Sequence, residues 1–193
     1  EGAQPDWEVP VLPEHGDPEW SDWSRALLHI RTHSREVMEN VADRAHFGPV
    51  HNTEIEVFEN VFEDHTATQV SQGVAYPRGG GRDAFSLKAT YFGPAYQITW
   101  MDGVLESRLL LAHTPVRSTP RPAIDLRFGV MLRLVKGDQS LTDKFAAQYV
   151  DNLRTGFTED IAIWENKVWR DRPVLCDGDG PIMKLRKWYR GFY

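Results

Sequence analysis

The sequence predicts an α+β fold in which a curved antiparallel sheet is packed by a long C-terminal helix. Three observations carry that expectation. Roughly six segments between residues 54 and 135 are rich in Val, Thr, Tyr and Phe and follow one another with no helical pattern between them, the order of an antiparallel sheet. Ala146, Val150, Leu153, Phe157, Ile161, Trp164 and Val168 then recur every three or four positions, one apolar stripe of a helix. A length of 193 residues suits one large domain or two small ones, and no internal repeat divides it.

The elements follow in order. Residues 1–24 hold Pro5, Pro10, Pro13 and Pro18 with Trp7, Trp20 and Trp23 between them, an extended lead-in whose aromatics pin it to the body. Ser34 can cap a first helix that runs to about His46. Its apolar face is Val37, Met38, Val41 and Ala45, and Asn40, Asp43 and His46 lie on the other face. Pro49 stops that helix and leaves His51 in the connection beyond. Strands are expected at Glu54–Glu63, His65–Tyr76, Ala84–Phe92, Ala95–Met101, Leu105–Thr114 and Ile124–Val135. Turn signals at Gly93-Pro94, Asp102-Gly103 and Pro115–Pro122 separate the later ones, and Pro77–Asp83 reads as a flexible loop. The long helix is expected from Ser140 to Trp169, followed by a tail that Trp188, Tyr189, Phe192 and Tyr193 anchor.

Composition excludes several function classes. Twenty-two Lys and Arg against 28 Asp and Glu give a net charge of −6, which argues against a nucleic-acid partner and against a polybasic membrane patch. No apolar run approaches the ~18 residues of a transmembrane segment. The N-terminus has no secretory signal, so a cytoplasmic chain is expected, and without an initiator Met it looks cut from something longer. The single Cys176 cannot form an intramolecular disulfide, a Cys-based zinc site or a cysteine-ligated iron–sulfur cluster. Any metal must therefore use His, Asp or Glu. Seven Trp suggest a large aromatic core or a pocket that grips an apolar ligand.

Two places can carry chemistry. On the long helix Asp160 falls about 60° from the centre of the apolar stripe, while Glu159 and Glu165 point further away. A carboxylate at that edge pairs with an Arg, faces solvent or holds a metal. On the first helix Asp43 and His46 share a face, and His51 lies where the chain folds back. Two imidazoles with one carboxylate form the facial triad of non-haem Fe(II), whose free positions admit dioxygen; zinc is the inorganic rival, and two ordinary histidines near a helix end have the same spacing. His29 and His33 read as surface or capping groups, and His65 and His113 as satisfied structural histidines. Cys176 reads as a small hydrophobe. Lys184, Arg186, Lys187 and Arg190 read as a solvated face, or as a surface for an acidic ferredoxin-type partner or a neighbouring subunit.

The segment from Glu39 to His51 resembles the D-x2-H-x4-H iron motif of Rieske non-haem iron oxygenases, and Phe157–Lys167 resembles the helix that carries the third ligand in that family. The tail, Asp171–Pro181 and Lys184–Tyr193, is similar to one branch, the oxygenase component of 3-ketosteroid 9α-hydroxylase and the cholesterol 7-desaturases. The resemblance implies a helix-grip (START/Bet v 1-like) domain with His46, His51 and Asp160 as ligands of a mononuclear Fe(II). It implies Asp43 as the carboxylate that links this iron to the cluster of a neighbouring subunit, and Asn40 as a residue near the iron. It also implies a homo-trimer, a ferredoxin or flavin reductase as electron donor, and dioxygen as co-substrate. The Rieske cluster of such enzymes needs two Cys and two His, so the [2Fe–2S] centre is expected on a missing domain or a partner.

The leading expectation is a catalytic domain that hydroxylates or desaturates an apolar, steroid-like substrate and is inactive without its Rieske domain. Its alternative is a non-enzymatic module that binds lipid or steroid in a helix-grip cavity. The two differ in whether three ligands converge. Phe47, Trp100, Phe128, Phe157 and Trp164 are expected to line the cavity.

Overall fold

A computed structural model of the chain describes residues 5–77, 79–117 and 121–193. Its centre is one antiparallel sheet of seven strands: β1 (Ser24–Ile30), β2 (Thr53–Glu63), β3 (Thr66–Ala75), β4 (Asp83–Phe92), β5 (Tyr96–Asp102), β6 (Ser107–Arg117) and β7 (Ala123–Leu132). Their order across the sheet is β1-β7-β6-β5-β4-β3-β2. The strands consecutive at the start of the chain thus form opposite edges, and two short helices, α1 (Ser34–Glu39) and α2 (Phe47–His51), carry the chain between them. The 26-residue helix α3 (Gln139–Trp164) follows the sheet and is about 39 Å long. Asp138 caps it, accepting from the Leu141 N–H at 2.9 Å.

Helix α3 packs on the β1–β7 side of the concave face. Ala146, Val150 and Trp164 meet Ile30, Leu111, Leu126, Phe128 and Val130 there. The opposite face carries a second cluster, where Leu12 and Trp20 of the lead-in pack on Ile98 and Met131. Trp7 lies flat on His65, with ring centroids 4.8 Å apart, and covers Gly93. The expected helix-grip α+β architecture is borne out, with one strand more than anticipated: β1, which lies apart from the expected run of strands, pairs with β7.

Three element boundaries differ from expectation, each for a tertiary reason. The first helix ends at Glu39 instead of His46, because the carbonyls beyond it find other partners. Asn60 Nδ2 donates to the Val41 carbonyl at 2.8 Å, and Gly180 approaches the Ala42 carbonyl so closely that a Cβ there would lie 1.8 Å from the oxygen. Pro49 does not stop a helix but sits in the first turn of α2, where a missing N–H costs nothing. Helix α3 ends at Trp164, not Trp169: Thr32 takes the Trp164 carbonyl at 3.0 Å, Arg31 takes Glu165, and Val168 is 69% exposed. The tail contains a further helix, α4 (Ile182–Tyr189). Strand β6 runs through Pro115 to Arg117; the remainder of the turn expected at Pro115–Pro122 includes residues 118–120, outside the described residues, as are Arg78 of the expected loop and residues 1–4 of the lead-in.

Candidate metal centre

The break between α1 and α2 shapes the site. His46 is the N-cap of α2 and His51 its last residue, so the two imidazoles stand one above the other on a single short helix, with ring centroids 5.1 Å apart. His51 is therefore not in the connection beyond a helix, as its spacing from Pro49 suggests. Asp160 comes from the far end of α3. One ligand atom from each of His46, His51 and Asp160 lies within 4.8 Å of the other two. His51 Nε2 is 3.4 Å from Asp160 Oδ1.

Asp160 is 5% exposed, and among the described residues its ion-pair partner is His51, not an arginine or lysine. A buried carboxylate facing only imidazoles is undercompensated, and a cation between them would restore balance. Burial works to lower the His51 pKa, but Asp160 and Glu159 outweigh it and hold the imidazole above its ordinary value. His46 is oriented by a backbone group: its Nδ1 donates to the Asp43 carbonyl at 2.7 Å, which leaves Nε2 as the free lone pair.

Asp43 is beside this pair and reaches it through the His46 backbone. Its carboxylate accepts the His46 backbone N–H at 3.3 Å and stays 3.8 Å from Nδ1. Burial raises its pKa; the hydrogen bond and charge of His46 more than reverse this and hold it below the usual range. Its side chain is 36% exposed. Asn40 lies on the cavity wall, where its Oδ1 accepts from Trp164 Nε1 at 3.2 Å.

Sequence reasoning missed Glu159. It was expected to point away, yet its Oε2 lies 3.7 Å from His51 Nδ1, on the side of the ring opposite Asp160. The adjacency of two carboxylates in Glu159-Asp160 was the available signal; helix angles alone misplaced it because α2 sits against the end of α3 and spans both.

The triad opens into a cavity of about 720 Å³ between the curled sheet and α3. Phe47, Phe157 and Trp164 line it as expected. Trp100 does not: alternation along β5 puts Thr99 into the cavity and turns Trp100 to the opposite face with Trp20. Phe128 is on the concave face but is covered by Phe157, ring centroids 5.0 Å apart. His29 pairs with Asp125 at the surface, and His33 caps α1 by accepting from the Arg35 N–H. His113 differs from expectation: it is buried, and neither ring nitrogen has a partner among the described residues.

The family model described as "3-Ketosteroid 9alpha-hydroxylase C-terminal domain" matches residues 1–193. The oxygenase component of a 3-ketosteroid-9-alpha-monooxygenase from Rhodococcus rhodochrous is 35% identical over 96% of this chain and 50% of its own length. A cholesterol 7-desaturase from Caenorhabditis elegans is 26% identical over 100% of this chain and 50% of its own length. The chain thus spans about half the length of these curated relatives. Among solved structures, dicamba monooxygenase bound to 3,6-dichlorosalicylic acid superposes with a TM-score of 0.70 at 12% identity, over 95% of this chain and 62% of that one, a likeness of fold.

Proposed function

The chain belongs to the family of 3-ketosteroid 9α-hydroxylase C-terminal domains, and from that premise we propose that it is the catalytic domain of a Rieske-type non-haem iron oxygenase acting on an apolar, steroid-like substrate. His46, His51 and Asp160 are the proposed ligands of a mononuclear Fe(II). The observation that carries this reading is the meeting of these three donors, two of them more than a hundred residues from the third, at a large apolar cavity. The donor set fits the ion: two neutral imidazoles and one carboxylate leave part of the ferrous charge and several positions unfilled. His51 Nε2 and Asp160 Oδ1, 3.4 Å apart, are close enough that both would hold one ion. A carrier of apolar ligands needs the cavity but not these donors.

When bound, Fe(II) would offer free coordination positions for dioxygen, the oxidant whose reduction by two supplied electrons would drive hydroxylation or desaturation of an unactivated carbon. The residues of the chain do the rest. The Asp43 carbonyl holds the His46 ring in one tautomer, and Glu159 stands behind His51 as Asp160 stands before it. Val37, Val41, Leu109 and Phe157 form an apolar wall that orients the substrate and excludes water from the centre. The bond between Trp164 and Asn40 ties the end of α3 to the chain just before the histidines, keeping Asp160 in register with them. Asp43, partly exposed outside the ligands, is the proposed link to the [2Fe–2S] Rieske cluster of a neighbouring subunit in a trimer, which a ferredoxin or flavin reductase supplies with electrons. That cluster lies outside these 193 residues, which contain one Cys.

Anaerobic titration with Fe(II), followed by desalting and metal analysis, tests the reading. About one iron per chain is expected, with loss of more than tenfold in retained iron for Asp160→Ala and for His51→Ala. Wild-type protein that retains no iron, or variants that retain as much, overturn it.

A further inference from the structure

A line of oxidisable aromatic side chains leads from the cavity to the surface. Trp164 follows Asp160 by four residues on α3, so the two share a helix face about 6 Å apart along the axis, and both line the cavity. Trp164 is 4% exposed. With Tyr91 of the cavity wall and Tyr189 at the end of α4, it belongs to one packed cluster of buried side chains. Tyr189 is 8% exposed, and its hydroxyl meets that of Tyr193 at 2.9 Å, with ring centroids 5.2 Å apart. Tyr193 is 79% exposed. One hydrogen bond thus joins a phenol of the core to a phenol in water.

That bond decides where an electron can leave. Removing an electron from buried Tyr189 leaves a charged ring in apolar surroundings, so its proton must depart with the electron. The Tyr193 oxygen can accept this proton while its own passes to water. Trp169 is the other indole beside α4, but Arg35 and Arg186 lie 3.9 and 3.8 Å from its ring centroid. A positive charge on that ring would face two like charges, which makes Trp169 a poor stop.

We infer that Trp164, Tyr189 and Tyr193 form a one-electron relay that drains an oxidising equivalent from the cavity to the surface. The relay rests on the iron reading and adds a protective function to it. When dioxygen is activated with no substrate in the cavity, the oxidant takes one electron from Trp164, and Trp164 regains one from Tyr189. The Tyr189 proton moves to Tyr193 as a Tyr193 proton goes to water. A hydrogen atom then returns from Tyr193 to Tyr189 along the same bond. The net change is one O–H bond of Tyr193 broken, one electron to the oxidant and one proton to solvent. A soluble thiol restores Tyr193 by giving up a hydrogen atom, which it cannot do for a residue sealed beside the ligands.

The test mixes the Fe(II)-loaded 193-residue chain with hydrogen peroxide, without steroid. Rapid freezing and EPR read the tyrosyl radical, and peptide mapping by mass spectrometry reads oxygen added to Trp164. The wild-type chain should give a tyrosyl radical. Tyr193→Phe and Tyr189→Phe, compared at equal iron content, should each lower its yield about fivefold and raise Trp164 oxidation about fivefold, because each breaks the one hydrogen bond. Tyr189→Phe separates a relay from direct attack on the exposed phenol, since direct attack leaves the Tyr193 radical at its wild-type yield. That result overturns the relay. So does an iron-loaded wild-type chain with no tyrosyl radical, or Trp164 oxidation unchanged in both variants, and each leaves the iron reading standing. A wild-type chain that retains no iron overturns the iron reading, and the relay with it.

Discussion

His113 shows how far one residue can depart from its sequence reading. Its place in β6 looks like that of an ordinary satisfied histidine, but the alternation of the strand carries it inward beside Tyr91, ring centroids 5.8 Å apart, where neither nitrogen has a partner among the described residues. Burial, with a smaller push from His33, lowers its pKa to about 4. The folded state therefore resists a proton that the unfolded state accepts near pH 6.5. Stability should be at its full value above pH 6.5 and fall as pH drops toward 4, with a total loss on the order of 3 kcal/mol. Chemical denaturation at pH 7 and pH 4.5 measures it, and His113→Leu should flatten the acid limb. Asp43 carries a second prediction at this scale. Because its backbone carbonyl, not its carboxylate, orients His46, Asp43→Asn should retain iron at wild-type stoichiometry by metal analysis. The pair His46 and His51 was legible in the sequence as a spacing; which ring nitrogen is free was not, since the partner is a carbonyl that only the fold brings within reach.

At the scale of elements, the tail holds α1 in place. The expected solvated face of Lys184, Arg186, Lys187 and Arg190 breaks at Arg186, which is 6% exposed. It pairs with buried Glu39, and Lys167 reaches both Glu39 and Glu36. Arg35 and Arg186 lie over the Trp169 ring, at 3.9 and 3.8 Å from its centroid. Arg186→Met would leave buried Glu39 with Lys167 as its one remaining cationic partner among the described residues. The cost should be about 3 kcal/mol, read as a fall of roughly 6–12 °C in Tm. Gly180→Ala would drive a methyl into the Ala42 carbonyl just ahead of Asp43 and His46, costing about 1–3 kcal/mol and weakening iron retention along with stability. The long helix was legible because its stripe repeats over 26 residues; α4 was not, because an 8-residue amphipathic stretch depends on tertiary burial of Leu185 and Tyr189 for its existence.

For the whole molecule, the sheet and α3 enclose a cavity next to the His46–His51–Asp160 group, so the proposed binding and chemistry would share one compartment. Electrons are a separate matter. With one Cys, the 193-residue chain should lack the visible absorption of a [2Fe–2S] centre even when loaded with Fe(II). Mixed with NADH, a reductase and a steroid, it should form no hydroxylated product by mass spectrometry. Addition of a protein that carries a Rieske domain should be required for turnover.

The sequence by itself determined the order of elements, the antiparallel sheet, the long packing helix and the family, because these rest on local periodicity and on short motifs that a linear reading preserves. It also pointed to His46, His51 and Asp160 as one set. Tertiary structure alone decided where the first helix breaks, that Glu159 turns toward His51, that Arg186 is buried, and that Trp100 faces away from the cavity. Each of those outcomes depends on partners distant in the chain: the Gly180 backbone at Ala42, α2 against α3, Glu39 at Arg186, and Trp20 across the sheet. Local propensity differs by tenths of a kcal/mol between such alternatives, whereas a buried hydrogen bond or ion pair left unmade costs one to several, so long-range contacts prevail wherever the two compete.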